Sequence, residues 1–511
     1  MKDTRTRKVL LIMTTSGIKQ ILNGILQFVI RTVFIHMLGA EYLGLNGLFS
    51  NVLSLLSLTE LGVSSAIAFY LYQPLFENDI QRIKMLMQFY KKCYRVIGIS
   101  MLGIGICIMP FLPLLVNFEQ NVPVNLYLVY FLFLLNTACS YLVFAYKQIL
   151  PMANQEQYQT DRVNITFICL NCLVDVGILV IFKNYILYLV INLVMVLINN
   201  IAVSFMVDKN FPYIKEKNVK KIDSKEKKLF FNNIKSAAIF RIGSALYNST
   251  DNIIISILLG TVVVGYYSNY LFVLQILTSM IGLLVKSFTA SIGNLMVEKT
   301  KGTLYNYFLQ IDFVVYCVVA ICVTCSFQLF NSFISLWVGS AHRDYILPQT
   351  VVAFLCINFY FDGTTQIMNT FREAGGFFQF GKSLQIVGGL FNIFLSIFLG
   401  KINGLEGIFI ATVISKGMIS LFPFMIVVSR NVFKKRIFDI LKVYLKRMSV
   451  TGIGIIITWN LCKEIHMTTV YNFLIEFFLS VIIEIMVILI FYHRSDEMRA
   501  LIKRIKRNSG L

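Results

Sequence analysis

Lys19, Asn23, Gln27 and Arg31 stand four residues apart inside an apolar run near the start of the chain. On a helix that spacing makes one slowly drifting polar stripe. Asn46, Ser50, Ser54, Ser57, Glu60 and Ser64 form a second stripe, and Arg241, Ser244, Asn248 and Asp251 a third. Ser268, Gln275, Ser279 and Lys286 continue the pattern, as do Asn358, Asp362, Gln366 and Asn369, while Asp175 and Lys416 interrupt two other runs. In lipid, such groups either bond one helix to another, as Arg31 with Asp251 would, or line a wet cavity. A cavity bearing Lys19, Arg31, Arg241, Lys286 and Lys416, with Asn23 and Gln27 beside them, favours an anionic ligand such as phosphate. The carboxylates Asp251, Glu60, Asp362 and Asp175 would bind Na⁺ or a proton there, or neutralise the cations.

Other chemistries have weaker signals. Cys169/Cys172 and Cys322/Cys325 have the spacing of metal or redox pairs, but no His or third Cys flanks either one. They read as small apolar filler, and no metal site is expected. No phosphate-binding Gly-Lys loop occurs, so hydrolysis of ATP by this chain is not expected. No catalytic set emerges and no enzyme activity is expected.

Membrane-crossing helices must position these side chains. The 511 residues are 57% apolar and only 14% charged, with a mean hydropathy of +0.72. A soluble chain carries about a quarter of its residues as charges. The apolar runs here are long enough to cross a hydrocarbon core of ~30 Å. Fourteen spans are predicted: 10–37, 46–73, 96–117, 124–146, 163–182, 184–207, 236–259, 265–291, 311–331, 347–371, 383–400, 406–429, 448–462 and 470–492. Pro423 falls inside one of them and predicts a kink. The first run is too long for a cleaved signal and lacks a small-residue cleavage site.

The net charge of +20 would suggest nucleic acid in a soluble protein, but its distribution points elsewhere. With the amino terminus inside, the inner segments hold 37 Lys and Arg, the outer loops four, and the spans five. That bias places both termini in the cytoplasm and removes any need for a nucleic-acid partner. The outer loops are all short, which excludes the large outer domain that membrane glycosyltransferases and polymerases use. Residues 208–235 hold nine lysines and read as a linker between an amino-terminal lobe, 1–207, and a carboxy-terminal lobe, 236–430. Residues 431–492 carry two further helices, and 493–511 form a basic tail. Ile80, Ile83, Met87, Tyr90 and Tyr94 share one face of 78–94 and predict an amphipathic helix lying in the membrane interface. Met498, Leu501, Ile502 and Ile505 do the same in the tail, where the basic face meets anionic lipid headgroups.

The turn Leu38-Gly39-x4-Gly44 returns as Leu259-Gly260-x4-Gly265, shifted by 221 residues and six predicted helices. A duplicated six-helix unit follows, and such repeats place a substrate site at their interface. The fold class is therefore an all-α polytopic membrane protein of about fourteen helices, with two pseudo-symmetric six-helix lobes and two extra helices.

The run RTVFIHMLGAEYLGLNGLFSNVLSLLSLTELGVSSAIAFYLYQPL (31–75) resembles Wzx-type polysaccharide flippases of the multidrug/oligosaccharidyl-lipid/polysaccharide (MOP) exporter superfamily. STDNIIISILLGTVVVGYYSNY (249–270), SFTASIGNL (287–295) and GLEGIFIATVIS (404–415) add to the likeness. The resemblance implies two six-helix lobes around a central cavity in a bacterial cytoplasmic membrane. It also implies the substrate, an undecaprenyl-diphosphate-linked oligosaccharide repeat unit bound for capsule, O-antigen or exopolysaccharide. Membrane lipid and the polymerase and glycosyltransferases of the same pathway would be the partners. No cofactor is implied, although transport would couple to Na⁺, H⁺ or the membrane potential. The family's basic residue of the first helix falls on Arg31, whereas Asn23 and Gln27 stand where related lipid flippases carry further arginines. The alternatives are a cation-coupled extruder of organic cations from the same superfamily and a membrane polysaccharide polymerase. Fluorescent-protein fusions, bright only in the cytoplasm, should shine at both termini. A dark carboxy-terminal fusion would break the even span count.

Overall fold

The computed structural model describes residues 2–56, 63–116, 124–216, 250–298, 301–338, 343–374, 382–462 and 470–500, and among these all regular structure is helical. Two compact units divide the chain, Met1–Gly265 and Tyr266–Leu511. The first contains α1 (Lys2–Leu38), α2 (Ala40–Leu56), α3 (Val63–Glu77), α4 (Ile80–Ile108) and the single turn α5 (Leu112–Leu115). It continues with α6 (Leu126–Leu142), α7 (Ile149–Ala153), α8 (Gln157–Ile181), α9 (Tyr185–Asn210) and α10 (Thr250–Leu259). α11 (Thr261–Glu298) begins in the first unit and runs into the second. There follow α12 (Lys301–Val338), α13 (Gln349–Ala374), α14 (Lys382–Ser415), α15 (Phe422–Val427), α16 (Ile437–Cys462) and α17 (Val470–Tyr492).

The chain is an all-α, multi-pass membrane protein. Nine helical stretches among the described residues are long and apolar enough to cross a bilayer, and ten if α6 and α7, bent by 49°, form one span. The larger number of predicted spans has identifiable sources. Spans 46–73 and 236–259 run over residues outside the description. Spans 383–400 and 406–429 fall in one helical stretch that breaks at Asn403 and Gly404, where φ is 56° at the glycine. The thirteenth span is α16, whose first three turns carry Asp439, Lys442, Lys446 and Arg447.

The stretch 80–94 corrects the interfacial reading. It is the start of α4, capped by Asp79, whose side chain accepts from the Arg82 N–H, and it runs on without a break into the predicted span. Ile83, Met87, Tyr90 and Tyr94 pack with Leu71, Leu150, Val203 and Val207 in a protein core, and only Ile80 of the predicted face is exposed. The apolar periodicity reported a buried face, but its solvent is protein rather than lipid. At Pro423 the helix widens. π-helical turns at 416–421 and 428–433 flank α15, and the Phe422 N–H reaches back to the Gly417 carbonyl. A wider turn of this kind accommodates the N–H that proline lacks.

The internal repeat is visible in the backbone. Gly39 and Gly260 both have positive φ, 89° and 100°. Each also donates its N–H to the carbonyl four residues earlier, Ile35 at 3.0 Å and Ser256 at 3.2 Å. Only glycine takes this left-handed helix cap without cost. The next pair of glycines lets the two turns meet. A Cβ on Gly44 would strike the backbone carbonyl of Thr261, and one on Gly265 the carbonyl of Ala40. Shifting Ala40 and Gly44 by 221 residues gives Thr261 and Gly265, so one contact is made twice with the roles exchanged. Gly44→Ala and Gly265→Ala should each destabilise the protein by about 1–3 kcal/mol, because backbone cannot rotate aside. The double variant should cost less than the sum, since the sites share a contact. Thermal unfolding in detergent reads both effects. Gly17→Ala, where nothing lies within 4 Å, should cost nothing.

Candidate functional site

α1 and α8 lie side by side and run in the same direction. Ser16 and Lys19 meet Asp161, and one stretch further up the Leu26 carbonyl meets Cys172. Asp161 is buried, and both of its oxygens are used: Lys19 Nζ lies at 2.8 Å and Ser16 Oγ donates at 2.6 Å. A carboxylate at this depth is tolerated only with such partners. The Lys19 side chain keeps 33% of its surface exposed against 2% for Asp161, so the lysine borders open space while the aspartate does not.

That space is a pair of cavities inside the first unit. One has a volume of about 380 Å³ and is walled by Tyr90, Tyr94, Tyr141, Gln157, Thr160 and Asp161. The other, about 360 Å³, is walled by Gln27, Ile30, Asn171, Asn192, Val196 and Asn199. Lys19, Gln148 and Asn164 belong to both walls. Gln148 arrives through the break between α6 and α7, where Phe144 has φ of 55° and Lys147 is anchored to Ser204 and Asp208 at 2.7 and 2.5 Å.

Asp175 sits beside the second cavity, almost wholly buried. Asn171 and Asn192 each donate a side-chain N–H to it, at 2.9 and 3.1 Å. Asn199 bonds Asn164 at 3.2 Å. The amide oxygens of Asn171 and Asn199 are buried without a hydrogen-bond partner. A carboxylate with neighbouring amide oxygens offers the hard donors that a monovalent cation or a proton takes. Sequence reading singled out Asp175 but missed Asp161, Asn164 and Asn171. The signal was present: positions 161, 164, 168, 171 and 175 follow helical spacing. Starting the helix at 163 hid its first member.

The other predicted residues are dispersed. Arg31 is half-buried near enough to Tyr188 to act on it electrostatically. Asn23 is half-buried, and Gln27 lines the second cavity. Asp251 is buried at the start of α10. In the second unit Lys286 is exposed on α11, and Lys416 is bonded to Asp362 at 2.8 Å. Arg241 and Glu60 lie outside the described residues.

One cluster in the second unit is structural. Arg447 on α16 is 1% exposed and forms an ion pair with Asp312 on α12, which also accepts from Tyr444 Oη at 2.9 Å. Phe313 and Tyr316 lie beneath the guanidinium at 5.8 and 5.2 Å. Above this, Glu484 on α17 is fully buried and accepts from Thr324 at 2.9 Å, against a glycine, Gly454, whose Cβ would overlap the carboxyl. These contacts fasten the last two helices to α12.

No family model matches the sequence, and no curated protein matches it. Solved structures do share its fold. A lipid II flippase MurJ in an inward closed conformation matches with a TM-score of 0.66 at 14% identity, covering 95% of this chain and 99% of that one. A multidrug resistance MATE family transporter of the MOP superfamily in an inward-facing conformation matches at 0.61 and 13%, covering 81% and 96%. An outward-facing conformation of such a transporter gives 0.56 and 14%, covering 81% and 93%. At these identities the likeness is one of fold.

Removing one partner of the Arg447–Asp312 pair strands a buried charge, a loss of about 3–5 kcal/mol. Arg447→Met alone should therefore lower the yield of monodisperse protein sharply, and Arg447→Met with Asp312→Leu should restore much of it. Size-exclusion profiles of a fluorescent fusion measure this.

Proposed function

We propose that this protein is a transporter that carries an anionic, lipid-linked oligosaccharide across the cytoplasmic membrane. The substrate class is undecaprenyl diphosphate bearing a repeat unit for a surface polysaccharide. The observation that carries the reading is the polar wall of α1, where Lys19, Asn23, Gln27 and Arg31 stand at bilayer depth and part of that wall borders open cavities. The fold shared with a lipid II flippase over nearly the whole chain supports it.

Lys19 and Lys416 are each 2.8 Å from a carboxylate. Arg31, Arg241 and Lys286 hold the diphosphate in this reading, Arg31 by paired N–H groups that suit a phosphate fork. The sugar occupies water and the prenyl chain stays in lipid. An anion leaving a cell that is negative inside gains ~2.3 kcal/mol per charge per 100 mV. Asp175, with Asn171 and Asn192 upon it, is the place for a coupling cation.

Arg31→Ala and Lys286→Ala should each cut surface polysaccharide tenfold or more at unchanged protein level, and Arg31→Lys should recover part of it. Full export from both alanine variants overturns these roles. The fold shared with multidrug transporters favours one second reading, a cation-coupled extruder. Under it, deleting the gene would sensitise cells to organic cations and Asp175→Asn would reproduce the deletion.

A further inference from the structure

We propose that the first unit contains its own cation passage, a water-filled route between Asp175 and the lysine-rich side of the membrane, closed at its waist by the Lys19–Asp161 ion pair. This rests on the reading of Asp175 as a coupling site. The passage is built from the two cavities of about 380 and 360 Å³. Gln157, Thr160 and Asp161 wall the first at the amino-terminal end of α8, the end that follows the inner segment 147–162. The second ends at Asn171 and Asn192, the two amides bonded to Asp175.

Both cavities are large and polar enough for ordered water. Between them stand Lys19, Gln148 and Asn164, the residues common to both walls. Of these only Lys19 carries charge. Its ammonium is held across the waist by Asp161, itself fixed by Ser16. A cation moving between Asp175 and the first cavity must pass that ammonium. Opening therefore requires the lysine to leave its partner, which the long, rotatable side chain permits. The ligand class is a monovalent cation, either Na⁺ or a hydrated proton. Gln148 comes from the broken α6–α7 segment, so movement of that segment would change the waist directly.

The test uses the full-length protein in membrane vesicles of both orientations. Ser140→Cys reports the first cavity and Val196→Cys the second. A membrane-impermeant methanethiosulfonate is added to one face, and peptide mass spectrometry reads modification at each position. Both positions should be modified at least tenfold faster from the lysine-rich face. Lys19→Met should speed modification at 196 severalfold and leave 140 unchanged. The neutral pair Lys19→Met with Asp161→Asn should do the same, and guards against misfolding of the single variant. Na⁺ or acid should slow modification at 196, and Asp175→Asn should abolish that protection; which of the two protects identifies the cation. Equal or opposite sidedness, or no effect of either waist variant, overturns the passage. Sided modification without protection by either cation would instead overturn Asp175 as the coupling site, leaving the passage without its proposed ligand.

Discussion

Hydrocarbon supplies neither water nor counter-ions, so each charge within a span must be balanced by the protein itself. Most of the arrangement follows from that. Asp161 is tolerable at the α1–α8 contact because a lysine and a serine occupy both its oxygens. Asp312 is tolerable beneath α16 because Arg447 and Tyr444 do the same. The two solutions differ in solvent. Arg447 is sealed among aromatic rings, whereas Lys19 borders a cavity. A dry pair fastens helices, and a wet pair can exchange its partner.

Much of this was legible in the sequence. Apolar length and the asymmetry of Lys and Arg report the solvent around the chain directly, so helix content and membrane character follow from composition. The repeat was visible because glycine at a left-handed cap cannot be replaced cheaply, and Gly39 and Gly260 mark the same turn twice. Periodicity failed where it is silent about the opposite surface. The stripe at 83–94 predicted an apolar face, and the face exists, but Leu71, Leu150 and Val203 cover it rather than lipid.

The site was legible only in part, for a related reason. A stripe of polar residues says which side of a helix avoids lipid, not which groups will be neighbours. Spacing names Lys19 as a ligand for phosphate but says nothing of Asp161, 142 residues away, which stands against it. Lys416 stands likewise against Asp362. Asn171 and Asn192 carry no charge and drew no notice, yet they orient the Asp175 carboxylate. Long-range pairing is invisible to spacing, because it depends on how the helices fold together.

The mutual glycine contact between the two turns has an evolutionary corollary. Gly44 lies on Thr261 and Gly265 on Ala40, so a side chain gained in either copy would press on the backbone of the other. After a duplication, positions free of such contacts can drift apart, as Ala40 and Thr261 have. At Gly44 and Gly265 the contact itself forbids a side chain, so both halves should keep glycine there long after their wider resemblance has faded.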